Sequence, residues 1–310
     1  MGEKKKNKSN SKVEEEPQQQ EQQLSANKRK RKEVFPYGNY KAYYGYRIGQ
    51  GIDEDPRLKV FKKEWFEGKD CLDIGCNSGV VTVQIAKKFH CRSILGIDID
   101  YNLIQDAKWR LKQIMRKESA GENSTSACKS EVATQTNCSE SSENAYSSEG
   151  TNEGTSDCSP SNKKLSDIVF FQTEDFIHPE INERKERPRS FLQNRCIAKK
   201  HYDTILCLSV AKWIHLNWGD DGLITLFSRV WELLHPGGIF VFEPQPWRSY
   251  ESNRLVSETT ARNCRDIKFR PDDFMEILLD KIGFRKVDDI TSALSGSKTG
   301  FNRPIFVFHK

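Results

Sequence analysis

Polar and apolar residues alternate in blocks along this chain, and the blocks have the lengths of strands and helices. Lys69-Asp-Cys-Leu-Asp-Ile-Gly75 reads as a buried strand running into a glycine turn. Apolar residues at 80, 81, 83, 85, 86 and 89 predict a helix over Val80–Phe89, and Ser93–Asp98 reads as a second strand ending on an acid. A helix over about Leu103–Met115 follows. Further strands are predicted at Ile168–Gln172, at Tyr202–Leu208 and, after Pro236-Gly237-Gly238, at Ile239–Phe242. A short helix is expected over Arg57–Trp65.

Strands alternating with helices predict a parallel α/β sheet. Two more apolar runs, Phe284–Val287 and Ile305–Phe308, come after the alternation ends with only a loop between them. They predict an antiparallel hairpin closing one edge of a mostly parallel, seven-stranded sheet. No repeat of 20 to 50 residues is visible, which argues against solenoids and propellers.

Two stretches cannot build a core. Residues 1–33 are almost all Lys, Glu, Gln, Asn and Ser, and residues 117–164 are Ser, Glu, Thr, Asn and Gly with Tyr146 the only aromatic. Both are expected to be disordered, leaving one domain over 34–310 interrupted by an insert. Residues 1–32 hold ten Lys/Arg against five acids, and the insert four Lys against eight acids; of the net +5, the remainder carries +4. A mildly basic domain with a basic arm suits a polyanionic partner. The arm ends in Lys28-Arg29-Lys30-Arg31-Lys32, which reads as a nuclear import signal or a nucleic-acid contact.

The nine cysteines show no C-x-x-C pair and no His spaced to complete a zinc site, so neither metal nor disulfide is expected. No apolar run reaches the roughly 18 residues of a membrane span. A reducing compartment, no membrane and a monomer are the resulting expectations.

Candidate chemistry sits where the first strand meets its helix: Asp73-Ile-Gly75-Cys76-Asn77-Ser-Gly79. Glycine there lets a ligand approach the backbone. A dinucleotide fingerprint needs glycines at i, i+2 and i+5, but Asn77 and Val80 occupy the last two positions, so NAD is disfavoured. Asp98 is placed to accept both ribose hydroxyls of an adenosine. An acid without a phosphate-cradling glycine array favours a nucleoside, with S-adenosylmethionine the candidate. A glycine turn alone is often only a turn, and an acid ending a strand is often a helix cap. Together with HPGG before a strand, the set resembles the class I (Rossmann-like) S-adenosylmethionine-dependent methyltransferase fold.

The segments GNYKAYYGYR, LDIGCNSG, LGIDID, LCLSVAKWIHLNWGDDGL, LHPGGIFVFEPQPW and GFNRPIFVFHK further resemble the bicoid-interacting-protein-3 family. The likeness is greatest to its branch that caps small nuclear RNAs such as 7SK or U6, and covers about 35–116 and 168–310. It implies methyl transfer to the γ-phosphate of an RNA 5′ triphosphate. By position it implies cofactor contacts at Tyr43, Arg57, Gly75, Cys76, Asn77, Asp98, Ile99, Asp175, Phe176 and Leu208, beside the Asp73 and Gly79 of the turn. Where the family has Asn-Tyr, this chain has Asp175-Phe176, and an Asp can still accept a hydrogen bond from the adenine amino group. A La-related RNA-binding protein is a further partner to expect.

At neutral pH a terminal phosphate oxygen is already an anionic nucleophile, since its second proton leaves near pH 6. The enzyme needs cations and shape rather than a general base. Lys212, just past the fourth strand, and Tyr40, Lys41 and Arg47 from the aromatic segment are the candidates. Each could instead be a surface charge. Tyr44 and Trp213 are candidates to stack an unpaired 5′ nucleotide. Rival readings are a 5′-monophosphate methyltransferase, whose branch of the family carries Met at the Lys212 position, and a catalytically silent RNA scaffold. Amine methylation is disfavoured because LSVAKW stands where an N/D-P-P-Y/F motif would be, and ribose 2′-O methylation lacks its Lys-Asp-Lys-Glu set.

Overall fold

The computed structural model describes residues 1–2, 34–41, 43–44, 54–126, 164–179, 201–291 and 303–310. One contact unit runs from Phe35 to Lys310. Its sheet has seven strands: β1 (Asp70–Ile74), β2 (Ser93–Asp98), β3 (Val169–Thr173), β4 (Tyr202–Leu208), β5 (Leu234–Glu243), β6 (Lys286–Asp289) and β7 (Phe306–His309). The order is β3-β2-β1-β4-β5-β7-β6, with β7 antiparallel to both β5 and β6 and the other pairs parallel. The hairpin is therefore present, but its second strand lies inside the sheet and its first forms the edge.

Alternation along each strand divides the core into two layers. Leu72, Ile74, Ile97, Ile205, Cys207, Phe240, Phe242 and Phe308 face one side, where Leu223, Leu226, Phe227 and Val230 of a long helix cover them. Cys71, Ile94, Leu206, Leu208, Val241 and Val307 face the other, covered by Val81, Ile85, Ala86 and Phe89. Helix α1 (Val80–Phe89) supplies the second group. After α2 (Tyr101–Ser126), helix α3 (Ala211–Leu233) supplies the first and is kinked at Gly219, whose φ of 65° and ψ of −164° break the helical path. Two shorter helices, α4 (Trp247–Asn253) and α5 (Glu258–Asp266), follow β5.

Beyond shifts of one residue in β3 and β7 and two in β6, three expectations need correction. The stretch Arg57–Trp65 forms not a helix but two 3-10 turns, Pro56–Lys59 and Lys63–Trp65, because Pro56 starts one and Phe61 and Phe66 must both turn inward. Helix α2 continues past Met115 through Ser126, ten residues into the predicted insert. There Glu118 pairs with Lys87 of α1 at 2.8 Å, an anchor that periodicity does not reveal. Strand β5 begins at Leu234 rather than Ile239, since Leu234 already pairs with Tyr202 across a register shift. The arm's basic cluster and residues 127–163 lie outside the described residues.

After β3 the chain returns to the far side of β1, so β1 and β4 form a topological switch point. Ligands of open α/β sheets bind beyond the C-terminal strand ends at such a point. Gly75, Asp98, Ser209 and Glu243 all stand there.

Candidate active site

A pocket of about 920 Å³, counting its open mouth, occupies the switch point. That is within the range of small-molecule sites. On its polar wall, Asp98 accepts the Asn77 amide on Oδ2 and the Asp100 amide on Oδ1, each at 2.9 Å. Burial pushes this carboxyl up to about 6, against the opposing pull of those two amides. The two oxygens keep lone pairs for two further donors, which matches a ribose diol and its need for adjacent acceptors. Nearby, the buried Asn39 Oδ1 lacks a hydrogen-bond partner, while its Nδ2 donates to Asp100 Oδ2 at 2.5 Å. Ile99, Phe176, Val210 and Trp218 supply apolar walls for a flat base. These features fit S-adenosylmethionine: acceptors for its sugar, apolar faces for its adenine, and no cradle for phosphates.

The glycines of the turn serve different ends. Gly75 has φ 71°, and a Cβ there would stand 2.3 Å from Val210 Cγ2, so glycine brings β1 and the post-β4 turn together at the pocket floor. Gly79 has φ 70°, and a Cβ would meet Phe171 Cζ at 2.5 Å. It seats α1 against β3 and does not line the pocket. Asn77 adopts φ 52°, a conformation Asn tolerates, with Ser78 N donating to its Oδ1 at 2.8 Å. Cys76, 1% exposed, belongs to the core and does not line the pocket. Asp73 accepts the Thr82 hydroxyl at 2.6 Å, and burial raises it to about 6.

A buried ionic network lies beneath. Arg57 donates Nε and Nη2 to Asp55 at 2.9 and 2.8 Å and Nη1 to Glu243 at 2.9 Å. Burial alone would lower this guanidinium, but Glu243 and Asp55 hold it well above its ordinary value. The Glu243 carboxylate also accepts the Ser209 hydroxyl, and Gln245 Nε2 donates to the Ser209 carbonyl.

Lys212 opens α3 beyond this turn. Its amide donates to Gln245 Oε1 at 3.1 Å, its Nζ donates to Ser249 Oγ at 3.0 Å, and the Nζ lies 4.2 Å from the Trp213 ring centroid. Burial, helped by the positive charge of Arg303, lowers Lys212 to about 7.

The segment from Phe35 to Lys41 crosses the mouth as a strap. Asn217 Nδ2 donates to the Pro36 carbonyl at 2.9 Å, Tyr37 stacks on Trp218, and Asn77 Nδ2 donates to the Tyr40 carbonyl at 3.2 Å. The Tyr40 hydroxyl reaches Asn253 Oδ1 on α4 at 3.3 Å, and burial raises its pKa.

Of the sequence candidates, Tyr43, Tyr44, Arg57, Asp73, Gly75, Asn77, Asp98, Ile99, Asp175, Phe176, Leu208 and Trp213 line this pocket. Asp175 spends Oδ1 on the Ile177 and His178 amides at 2.9 and 3.1 Å, capping its own turn. Two stacking candidates are placed otherwise than expected. Tyr44 lies on the pocket floor, with its hydroxyl 3.5 Å from the Cys76 carbonyl and its pKa raised by burial. Trp213 is 6% exposed, wedged between Gly38, the edge of Tyr40 and Lys212. Trp213 presents no open face to a base, and Tyr44 is half-buried in the pocket lining. Lys41 is exposed, and Arg47 lies outside the described residues. Residues not anticipated are Asn39, Glu174, Ser209, Glu243 and Arg303. Glu174 is a pocket carboxyl that burial raises to about 7 while Gln172 Nε2 donates to it at 2.9 Å. No group of three metal-ligating side chains occurs among the described residues.

Strand order 3-2-1-4-5-7-6 with an antiparallel seventh strand, and an adenosine-shaped site at the switch point, define a class I S-adenosylmethionine-dependent methyltransferase. The bicoid-interacting protein 3 (Bin3) family model matches residues 202–310. A probable RNA methyltransferase of Arabidopsis thaliana is 57% identical over 282 residues, 91% of this chain and 83% of that protein. The 7SK snRNA methylphosphate capping enzyme of Homo sapiens is 34% identical across 91% of this chain, which spans only 40% of that enzyme. The U6 snRNA methylphosphate capping enzyme of Drosophila melanogaster is 34% identical over 89% of this chain and 75% of its own length. The chain belongs to the Bin3 family. Among solved structures, a TehB-like SAM-dependent methyltransferase from Corynebacterium glutamicum aligns at 14% identity over 88% of this chain and 97% of that one, with a TM-score of 0.46.

Proposed function

We propose that this protein methylates RNA at its 5′ end, transferring methyl from S-adenosylmethionine to the γ-phosphate oxygen of a 5′ triphosphate. The observation that carries the reading is Lys212: a buried amine, 5% exposed, between the pocket-lining Val210 and Trp213 in sequence though not itself in the lining, and with no carboxylate in ion-pair range among the described residues. A buried cation without an acid partner is costly to fold around unless an anion arrives.

The cofactor supplies an electrophilic methyl on a sulfonium. The chain's own residues then have three tasks. Asp98 and Asn39 offer acceptors to the sugar and fix the ligand's orientation. Lys212 draws the terminal phosphate to the pocket rim as a point charge, leaving the attacking oxygen unprotonated. The strap from Phe35 to Lys41 covers the mouth and excludes water. Tyr40, hydrogen-bonded to the helix that carries Ser249, shapes the entrance, and Lys41 and Arg47 join as further cations from the same segment.

Relatives named as 5′-monophosphate methyltransferases, such as one from Xenopus laevis at 42% identity over 235 residues, support the second reading, a monophosphate acceptor. Transfer of labelled methyl to otherwise identical transcripts with mono- or triphosphate ends decides between them. Lys212→Ala is expected to bind S-adenosylmethionine nearly as the parent does while transfer to triphosphorylated RNA collapses. Equal activity in that variant removes Lys212 from the mechanism, and tight RNA binding without transfer in the parent leaves a scaffold. A nuclear site of action follows from an snRNA acceptor and the cluster at Lys28–Lys32.

A further inference from the structure

Lys212 does not stand alone at the rim. From the segment preceding β7, ninety residues further along the chain, Arg303 brings a guanidinium to the same turn and donates Nη1 to Ser209 Oγ at 2.8 Å. Its charge is felt at Lys212, one of the two causes that lower the lysine. Lys212 is buried and Arg303 half-buried, so the two like charges repel each other, and the corner is built in spite of it.

The guanidinium is also held firmly. Ser209 adopts φ 65°, unusual for a residue with a side chain, and this aims its hydroxyl at both Arg303 and Glu243. Glu243 in turn receives Arg57 from the cofactor side at 2.9 Å. A continuous chain, Asp55–Arg57–Glu243–Ser209–Arg303, thus runs from the floor of the cofactor pocket to the corner beside Lys212. Strained backbone over-determined by its surroundings is a mark of functional positioning.

We propose that Arg303 sets the preference for the length of the 5′ phosphate chain: it grips the phosphate next to the acceptor, while Lys212 grips the acceptor itself. The inference rests on the reading that a terminal RNA phosphate is the methyl acceptor. A guanidinium presents two parallel N–H donors to the oxygens of a phosphate, which suits a group to be held and not reacted. By neutralising the neighbour, Arg303 draws charge off the chain without binding the attacking oxygen. A monophosphate end satisfies Lys212 and offers Arg303 nothing. Two cations of different geometry therefore measure two phosphates.

The test uses the full chain and one RNA prepared with tri-, di- and monophosphate ends, in single-turnover assays with labelled cofactor. The parent is expected to prefer the tri- and diphosphate ends. In Arg303→Gln their rates should fall about 100-fold, so that the preference over the monophosphate end nearly vanishes, the low end of the loss that follows removal of one preorganised hydrogen-bond donor. Arg303→Lys should lie between, and Ser209→Ala, which releases the guanidinium, should shift the ratio the same way by a smaller factor. In the two Arg303 variants affinity for S-adenosylhomocysteine, measured by calorimetry, should stay within about threefold, a change of less than about 1.4 kcal/mol. An equal loss on all three ends makes Arg303 structural, and an unchanged preference removes it from recognition; either overturns the proposal. A parent active only on monophosphate ends overturns the underlying reading as well.

Discussion

Replacing Lys212 by Met should make the protein more stable and catalytically dead. The side chain is almost fully buried, and its pKa falls from 10.5 to about 7 on folding. At about 1.4 kcal/mol per tenfold, keeping it charged in the folded state costs on the order of 5 kcal/mol. The ring of Trp213, 4.2 Å from Nζ, returns about 1–2 kcal/mol of that. Met fills the same volume without charge, so a gain of about 3 kcal/mol is expected below pH 7. Its pH dependence has a fixed sign. Below pH 7 the lysine is charged both folded and unfolded, and the penalty is complete. Between pH 7 and 10.5 the unfolded chain holds a proton that the folded chain has released, so the parent gains on the variant as pH rises. Urea denaturation of both proteins at pH 6 and pH 9, without ligand, measures this. A difference that is absent, or that fails to shrink at pH 9, refutes the assignment of Lys212 as a buried cation awaiting its counterion.

Three further outcomes follow from the same structure. Phosphate binding should re-protonate Lys212, so RNA affinity should weaken as pH rises from 7 to 9; calorimetry in buffers of different ionisation enthalpy should show proton uptake, and buffer-independent heats would contradict it. Asp98→Ala should lower cofactor affinity at least 100-fold by calorimetry without lowering stability, because it removes a carboxyl that burial disfavours; near-parental affinity would displace Asp98 from the sugar site. Gly79→Ala should lose about 2–4 kcal/mol, combining a left-handed φ with a Cβ 2.5 Å from Phe171 Cζ, and a loss below about 1 kcal/mol by urea denaturation would contradict the packing role.

The elements most legible in the sequence were those buried on both faces. Helix α1 and strands β2 and β4 match the predicted bounds to the residue, the strands because a mostly apolar run buried on both faces has few ways to be covered and the helix because its apolar positions recur at helical spacing. What periodicity could not show was contact across distance. Ser209, Glu243 and Arg303 come from three segments and carry no local signature, and Arg57 meets Glu243 186 positions away. The placement of the aromatics escaped the sequence for a related reason. Tyr44 and Trp213 lie close in sequence to basic residues, Lys41 and Lys212, as base-stacking rings do, yet Trp213 is almost fully buried and Tyr44 half-buried. In the Arg57–Trp65 stretch, inward-facing Leu58, Phe61 and Phe66 have spacing close enough to helical to imitate a helix, while Pro56 permits only short turns.

The strap fastens two places at once: Asn39 and the Tyr40 carbonyl tie it beside the cofactor, and the Tyr40 hydroxyl ties it to the helix bearing Ser249. On the proposed reading, with cofactor and RNA end held on either side of it, opening this strap loosens both holds at once, and the frequency of that opening, rather than the chemistry, would cap the number of RNA molecules processed per minute.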